Sequence, residues 1–194
     1  HLYLLLILSA LLCVVLGMGL PTVGVYVLLA TLVAPALVEV GVMPIAAHLF
    51  VMYFGMMSMI TPPVAIAAYA AAGLANADPL KTGFESVRLG WSAYVVPFLF
   101  VLSPTLILQG ELGDVTIAVL TAAIGIWLVS IAMVGYFLRP ISGLIRLLFI
   151  LSGLLSLVPA NSFNGAQFTD IMGFGMGVVL IGREVLIHRA IKNT

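Results

Sequence analysis

Two interruptions of apolar sequence hold the residues best suited to chemistry, Gly17-Met18-Gly19-Leu20-Pro21-Thr22 and Ser58-Met59-Ile60-Thr61-Pro62-Pro63. Glycine adopts backbone conformations closed to other residues, proline lacks an N–H and clashes with the carbonyl one turn back, and serine and threonine add hydroxyl oxygens. Pro62 and Pro63 together remove two donors and expose the carbonyls about one turn upstream, near Ser58 and Met59. A hard cation such as sodium takes about five or six oxygens, and carbonyls with hydroxyls supply them without placing a formal charge in a membrane. The candidate ligands are Gly17, Gly19 and Thr22 on the first stretch and Ser58, Met59 and Thr61 on the second. Thr61, Pro62 and His48 are the candidates for contact with a substrate. His48 can be protonated or can donate a hydrogen bond to a carboxylate, although an interhelical hydrogen bond is its plainer role. Either break alone reads equally well as a kink in an ordinary span. Two of them on consecutive over-long segments point to a shared pocket at membrane depth, because freed backbone groups are tolerated there only inside protein or beside a polar cavity.

The chain has 194 residues, of which 63% are hydrophobic and 7% charged, and its mean hydropathy is +1.30. Soluble domains carry ~25% charged residues, so this is an integral membrane protein of the all-α class. Its length allows roughly six membrane-embedded segments at ~20 residues per helical span. Acidic and basic residues balance at seven each, and with no basic cluster the composition argues against nucleic acid as a partner. The single cysteine, Cys13, lies inside an apolar run, which leaves neither a disulfide framework nor a cysteine-based metal site. The sequence starts at His1 and enters apolar residues with no basic n-region and no small-residue cleavage site. That pattern is the expectation for the C-terminal portion of a longer protein, not for a signal peptide.

The elements that must position the breaks follow from segment length. No charge occurs between His1 and Glu39, and at ~1.5 Å per residue one helix of that length would be nearly twice the ~30 Å hydrocarbon thickness. The run therefore folds back at Gly17 to Thr22, giving a re-entrant helical hairpin over residues 1–42, with two tilted spans as the alternative. Residues 43–77 read as a discontinuous transmembrane helix, its halves near Ile45–Met57 and Val64–Leu74, and the alanine-rich second half is suited to close packing. Residues 78–90 are the most polar stretch and read as a cytoplasmic connection containing a short amphipathic helix, with Asp78 or Asn76 as N-cap before Pro79. Residues 91–110 span, kinked at Pro97 and Pro104. Residues 111–194 supply the C-terminal transmembrane helices, near Val115–Leu138, Ile141–Val158 and Ile171–Ile187, with Arg146 in snorkelling reach of the interface.

Lys81, Arg88, Arg139, Arg146, Arg183, Arg189 and Lys192 fall on one side of these segments, and Glu111, Asp114 and Asp170 on the other, which makes the basic side cytoplasmic. Catalysis finds little support. Ser58 and His48 are ten positions apart on one helix, nearly three turns, too far for a nucleophile and its base. There is no phosphate-binding glycine loop with a following Lys-Ser/Thr, and no His/Asp/Glu cluster suggests a metal enzyme.

Within Gly17 to Trp91, the set GMGLPT, APALV, AAHLFVMYFG, ITPPVAIAAYAAAG and ADPLKTG closely resembles the second half of the large membrane subunit of TRAP (tripartite ATP-independent periplasmic) transporters. It looks most like the variant with fused small and large subunits that works with a TAXI-type solute-binding protein, and FLRPISGLIR in the tail resembles that variant's extra helices. The resemblance implies half of an elevator-type secondary transporter in a bacterial inner membrane, driven by a sodium gradient, with no other cofactor. It further implies a periplasmic solute-binding protein that delivers an organic acid, and an N-terminal remainder of the permease, including the small-subunit region, that supplies the first inverted repeat. Gly17 to Thr22 would be the hairpin tip and Ser58 to Pro63 the unwound segment of the sodium site. The competing readings are another elevator-type anion symporter, which would not need the binding protein, and an intramembrane enzyme or non-transporting scaffold, which would show no uptake.

Overall fold

A computed structural model describes residues 2–158 and 166–192. The chain divides into two compact units, residues 1–107 and 108–194. Both are helical. The only extended pairing among the described residues is a two-residue ladder, Tyr136–Phe137 (β1) against Arg139–Pro140 (β2).

In the first unit, α1 (Leu2–Gly17) turns back into α2 (Thr22–Leu32), which continues after a break at Val33 as α3 (Ala34–Glu39). The break precedes Pro35, whose ring cannot follow an unbroken helix. These limbs pack on α4 (Pro44–Met57), and Leu6, Cys13, Leu29, Leu37, Phe50 and Val51 form a fully buried core. On α1 the buried stripe is Leu6, Ser9, Ala10, Cys13 and Gly17, whereas Leu4, Leu8, Leu11 and Val15 are exposed. Both faces are apolar, so small side chains, not hydrophobicity, mark the packed face, as expected where helices associate in lipid.

Beyond the second break, α5 (Ile66–Ala75) is followed by α6 (Pro79–Leu89) and α7 (Trp91–Leu102). Asp78 caps α6 by accepting the Lys81 N–H at 2.8 Å, and Arg88 pairs with Glu85 at 3.1 Å. Helix α5 starts at Ile66, two residues later than its expected start, because Ala65 is left-handed (φ 35°). Helix α6 does not stand clear of the apolar segments. A methyl group on Gly83 would lie 3.0 Å from the Pro62 ring, and one on Gly90 would lie 3.0 Å from Ile60. Phe98 of α7 stacks edge-on against Phe50 (5.3 Å) and Phe54 (5.4 Å) of α4, and the unit closes with a 3₁₀ turn at Pro104–Ile107.

The second unit contains α8 (Leu112–Val134), α9 (Gly143–Leu157) and α10 (Ala166–Lys192). The expected loop at 159–169 lies partly outside the described residues, and α10 starts at Ala166, ahead of the expected Ile171. Helix α9 has 15 residues, ~22 Å of rise, shorter than the expected full span. Among the described residues, four stretches are long and apolar enough to cross a membrane, Thr22–Glu39, Pro79–Leu102, Leu112–Val134 and Phe168–Ala190. Arg146 reaches the end of a neighbouring helix. Its guanidinium donates to the Ala132 carbonyl (2.8 Å) and the Met133 carbonyl (3.3 Å), closing the C-terminus of α8. Arg139 bonds Glu184 at 2.7 Å and 3.3 Å, and Arg183 also pairs with this fully buried carboxylate. The hydrogen bond to Glu184 raises the Arg139 guanidinium above its ordinary pKa, so the cation persists at any physiological pH.

Helices α8 and α9 meet at Gly125 and Gly153. A methyl on Gly153 would lie 2.5 Å from Val129 Cγ2 and 2.6 Å from the Gly125 carbonyl oxygen, while Gly113, also on α8, faces open space. Gly153→Ala is therefore expected to lower stability by about 1–3 kcal/mol through overpacking, with Gly113→Ala neutral or slightly stabilising. Thermal melting of the two variants in detergent checks the contrast, and equal midpoints would contradict the close approach.

Candidate functional site

The hairpin turn and the second break meet. A methyl on Gly17 would come 2.7 Å from the Gly55 carbonyl oxygen, 2.9 Å from Ser58 Oγ and 3.1 Å from Ser58 Cβ. On the other side of the same glycine of α4, a methyl on Gly55 would strike Val25 Cγ1 (2.6 Å) and Leu29 Cδ1 (2.7 Å) of α2. Both limbs of the hairpin thus close on Gly55, and only glycines at 17 and 55 permit the approach. The backbone of the turn is held lightly, by Met18 N–H to Val15 O (3.3 Å) and Leu20 N–H to Gly17 O (3.4 Å).

The break is a sequence of substituted hydrogen bonds. Ser58, 1% exposed, donates its hydroxyl proton to the Gly55 carbonyl at 2.6 Å. Thr61 donates to the Met57 carbonyl at 2.6 Å, which also receives the Ile60 N–H at 3.1 Å. Met59, deprived of the Pro63 N–H, accepts the Ala67 N–H across the break at 3.0 Å, and Thr61 O accepts from Ala65 N–H at 3.1 Å. Tyr69 closes the far side by donating to the Pro63 carbonyl at 2.9 Å. The Ser58 carbonyl, deprived of the Pro62 N–H, receives no backbone donor among the described residues. Both hydroxyls have given up their protons, so Ser58 Oγ and Thr61 Oγ1 keep lone pairs for an acceptor role.

Of the sequence candidates, Gly17 and Ser58 are in direct apposition, and Met59, Thr61 and Pro62 line the same break. Gly19 takes the positive φ of the turn (81°) with open space where a side chain would be, and Thr22 opens α2 as an exposed residue. Neither is brought against the break. His48 lies about 15 Å along α4 from Ser58 at ~1.5 Å per residue, and its Nδ1 is 3.1 Å from the Tyr26 hydroxyl of α2. That is the interhelical hydrogen bond, and it ties the second hairpin limb to α4.

Three participants escaped the sequence reading. Gly55 sits within the last turn of α4, where glycine still costs up to ~1 kcal/mol against alanine, and that cost signals a close approach. Tyr94 of α7 puts its hydroxyl 2.7 Å from Thr61 Oγ1; a phenol in an apolar segment needs a partner, but sequence does not say which. Gly83 seats α6 against Pro62 and Tyr69, a contact that polar sequence gives no reason to expect.

The apposition of tip and break predicts that Gly17→Ala, whose methyl would meet the Gly55 carbonyl oxygen at 2.7 Å, lowers stability by about 1–3 kcal/mol through overpacking. Gly24→Ala, on α2 and facing open space, is expected to be neutral or slightly stabilising. Thermal melting in detergent compares the two, and equal midpoints would separate the tip from the break.

Residues 1–115 match the family model for the tripartite ATP-independent periplasmic transporter, DctM component. No curated protein and no solved structure matches the chain. The match covers the first unit and ends just inside the second. A hairpin packed on an interrupted helix, with four stretches among the described residues long and apolar enough to cross a membrane, suits a multi-pass inner-membrane permease, and the chain belongs to the DctM family of TRAP transporter components, a family of transporters and not of enzymes.

Proposed function

We propose that the chain is the C-terminal part of a TRAP permease that couples inward movement of an organic acid to a sodium gradient. A periplasmic solute-binding protein of the TAXI type delivers the solute, and the remainder of the permease supplies the first repeat and the small-subunit region. The observation that carries this reading is the meeting of Gly17 with Gly55 and Ser58, beside a Ser58 carbonyl that receives no backbone donor among the described residues. Neutral oxygens collected at an interrupted helix suit a monovalent cation, because they replace its hydration shell without placing a formal charge in the bilayer.

In this reading the hairpin is re-entrant, with α1, 16 residues long, rising ~24 Å, short of the ~30 Å hydrocarbon layer. Ser58 and Thr61 supply hydroxyl oxygens and Gly17, Ser58 and Met59 supply carbonyls, whereas Gly19 and Thr22, which face away from the break, shape the tip and are not assigned as ligands. Thr61 and Pro62 border the solute, and the side carrying Lys81, Arg88 and Arg139 faces the cytoplasm. His48, engaged by Tyr26, serves the hairpin and not the solute.

Uptake by the complete permease in proteoliposomes with its binding protein tests the assignment. Removing the sodium gradient is expected to abolish uptake. Thr61→Val, which deletes the hydroxyl and keeps the shape, is expected to raise the sodium concentration for half-maximal uptake about five- to thirtyfold, as for loss of a polar contact worth ~1–2 kcal/mol. Uptake that ignores sodium, or a Thr61→Val variant with wild-type sodium dependence, would defeat it.

A further inference from the structure

Thr61 has one hydroxyl proton and two neighbours within bonding distance, the Met57 carbonyl at 2.6 Å and the Tyr94 hydroxyl at 2.7 Å. The carbonyl can only accept, so the Thr61 proton goes to Met57 and the Tyr94 phenol donates to Thr61 Oγ1. That leaves one lone pair on Thr61 Oγ1. Tyr94 is half-buried and stands on α7, the helix whose Phe98 stacks on Phe50 and Phe54 of α4. The phenol is thus a side-chain hydrogen bond that joins the unwound segment to a helix anchored on the half preceding the break.

We infer that Tyr94 is a positioning residue for the cation site, holding the Thr61 hydroxyl and the segment Ser58–Ala65 in the arrangement that binds the ion; the inference rests on the sodium-site reading given above. Tyr94 does not itself touch the ion. An unwound segment has few backbone bonds of its own, and each tether lost lets it sample more arrangements. Apparent affinity then falls by the fraction of time the competent arrangement is populated. Saturating ion restores that arrangement, so the maximal rate is unaffected. Loss of packing would act differently, by lowering the amount of folded protein and with it the maximal rate at every sodium concentration.

Tyr94→Phe removes the donor and keeps the ring. In the complete permease reconstituted with its binding protein, this variant is expected to raise the half-saturating sodium concentration about two- to tenfold, the range for one neutral hydrogen bond. The maximal uptake rate per folded transporter is expected to be unchanged. Combined with Thr61→Val, it is expected to add nothing to the shift that Thr61→Val produces alone, since the bond is already gone. If Thr61→Val shifts sodium dependence and Tyr94→Phe does not, the role assigned to Tyr94 is wrong and the ion site stands. A fully additive double variant also overturns it. If neither variant shifts sodium dependence, the ion site itself is misplaced and the inference goes with it.

Discussion

A backbone that leaves its helix inside a bilayer must find other partners for its N–H and C=O groups, and this constraint shapes the first unit. The break around the two prolines at 62 and 63 creates the deficit, which extends from Gly55 to Pro63. Ser58, Thr61 and Tyr69 hydroxyls meet most of it, each donating to a carbonyl near the break, and Ala67 bridges back to Met59. The remaining Ser58 carbonyl and the lone pairs of two hydroxyls are the oxygens left over. The repair of the helix and the gathering of spare acceptor oxygens thus involve the same side chains.

Close approach does the rest, and glycine controls it. Gly17 and Gly55 bring the hairpin onto α4, Gly83 and Gly90 bring α6 onto the break, and Gly125 and Gly153 join α8 to α9. Between lipid-facing helices there is little hydrophobic drive to associate, so contact is made where side chains are absent and dispersion and backbone contacts accumulate. In the second unit the polar ends are fastened by charge. Arg146 closes α8, and Arg139 reaches from the short ladder to the buried Glu184 of α10.

Much of this was legible in the residues. Segment lengths gave the fold-back and the interrupted helix, because uncharged runs too long for one crossing must bend, and Gly-Pro-Thr groups showed where. What stayed hidden was every relation between helices of uniform hydrophobicity. The stripe Leu6, Ala10, Cys13 and Gly17 on α1 carries no hydropathy signal against Leu4, Leu8 and Leu11 on the exposed face. The Thr61 hydroxyl was expected at the break, but its Tyr94 partner lies 33 positions away, and nothing local links them. Arg146 was expected within snorkelling reach of the interface, but its carbonyl partners at the end of α8 lie 13 and 14 positions back along the chain, and nothing local names them. Glu184, between Arg183 and Val185 in a basic tail, has no sequence feature that tells a buried carboxylate from a solvated one.

The seat of α6 on the break has an electrostatic consequence. Gly83 and Gly90 touch Pro62 and Ile60, while Lys81, Glu85 and Arg88 on the same helix stay exposed. These ionised groups are then separated from the unwound segment by about one helix thickness, ~10 Å. Being exposed, they are themselves screened by salt, so the potential that α6 adds at the break falls as ionic strength rises.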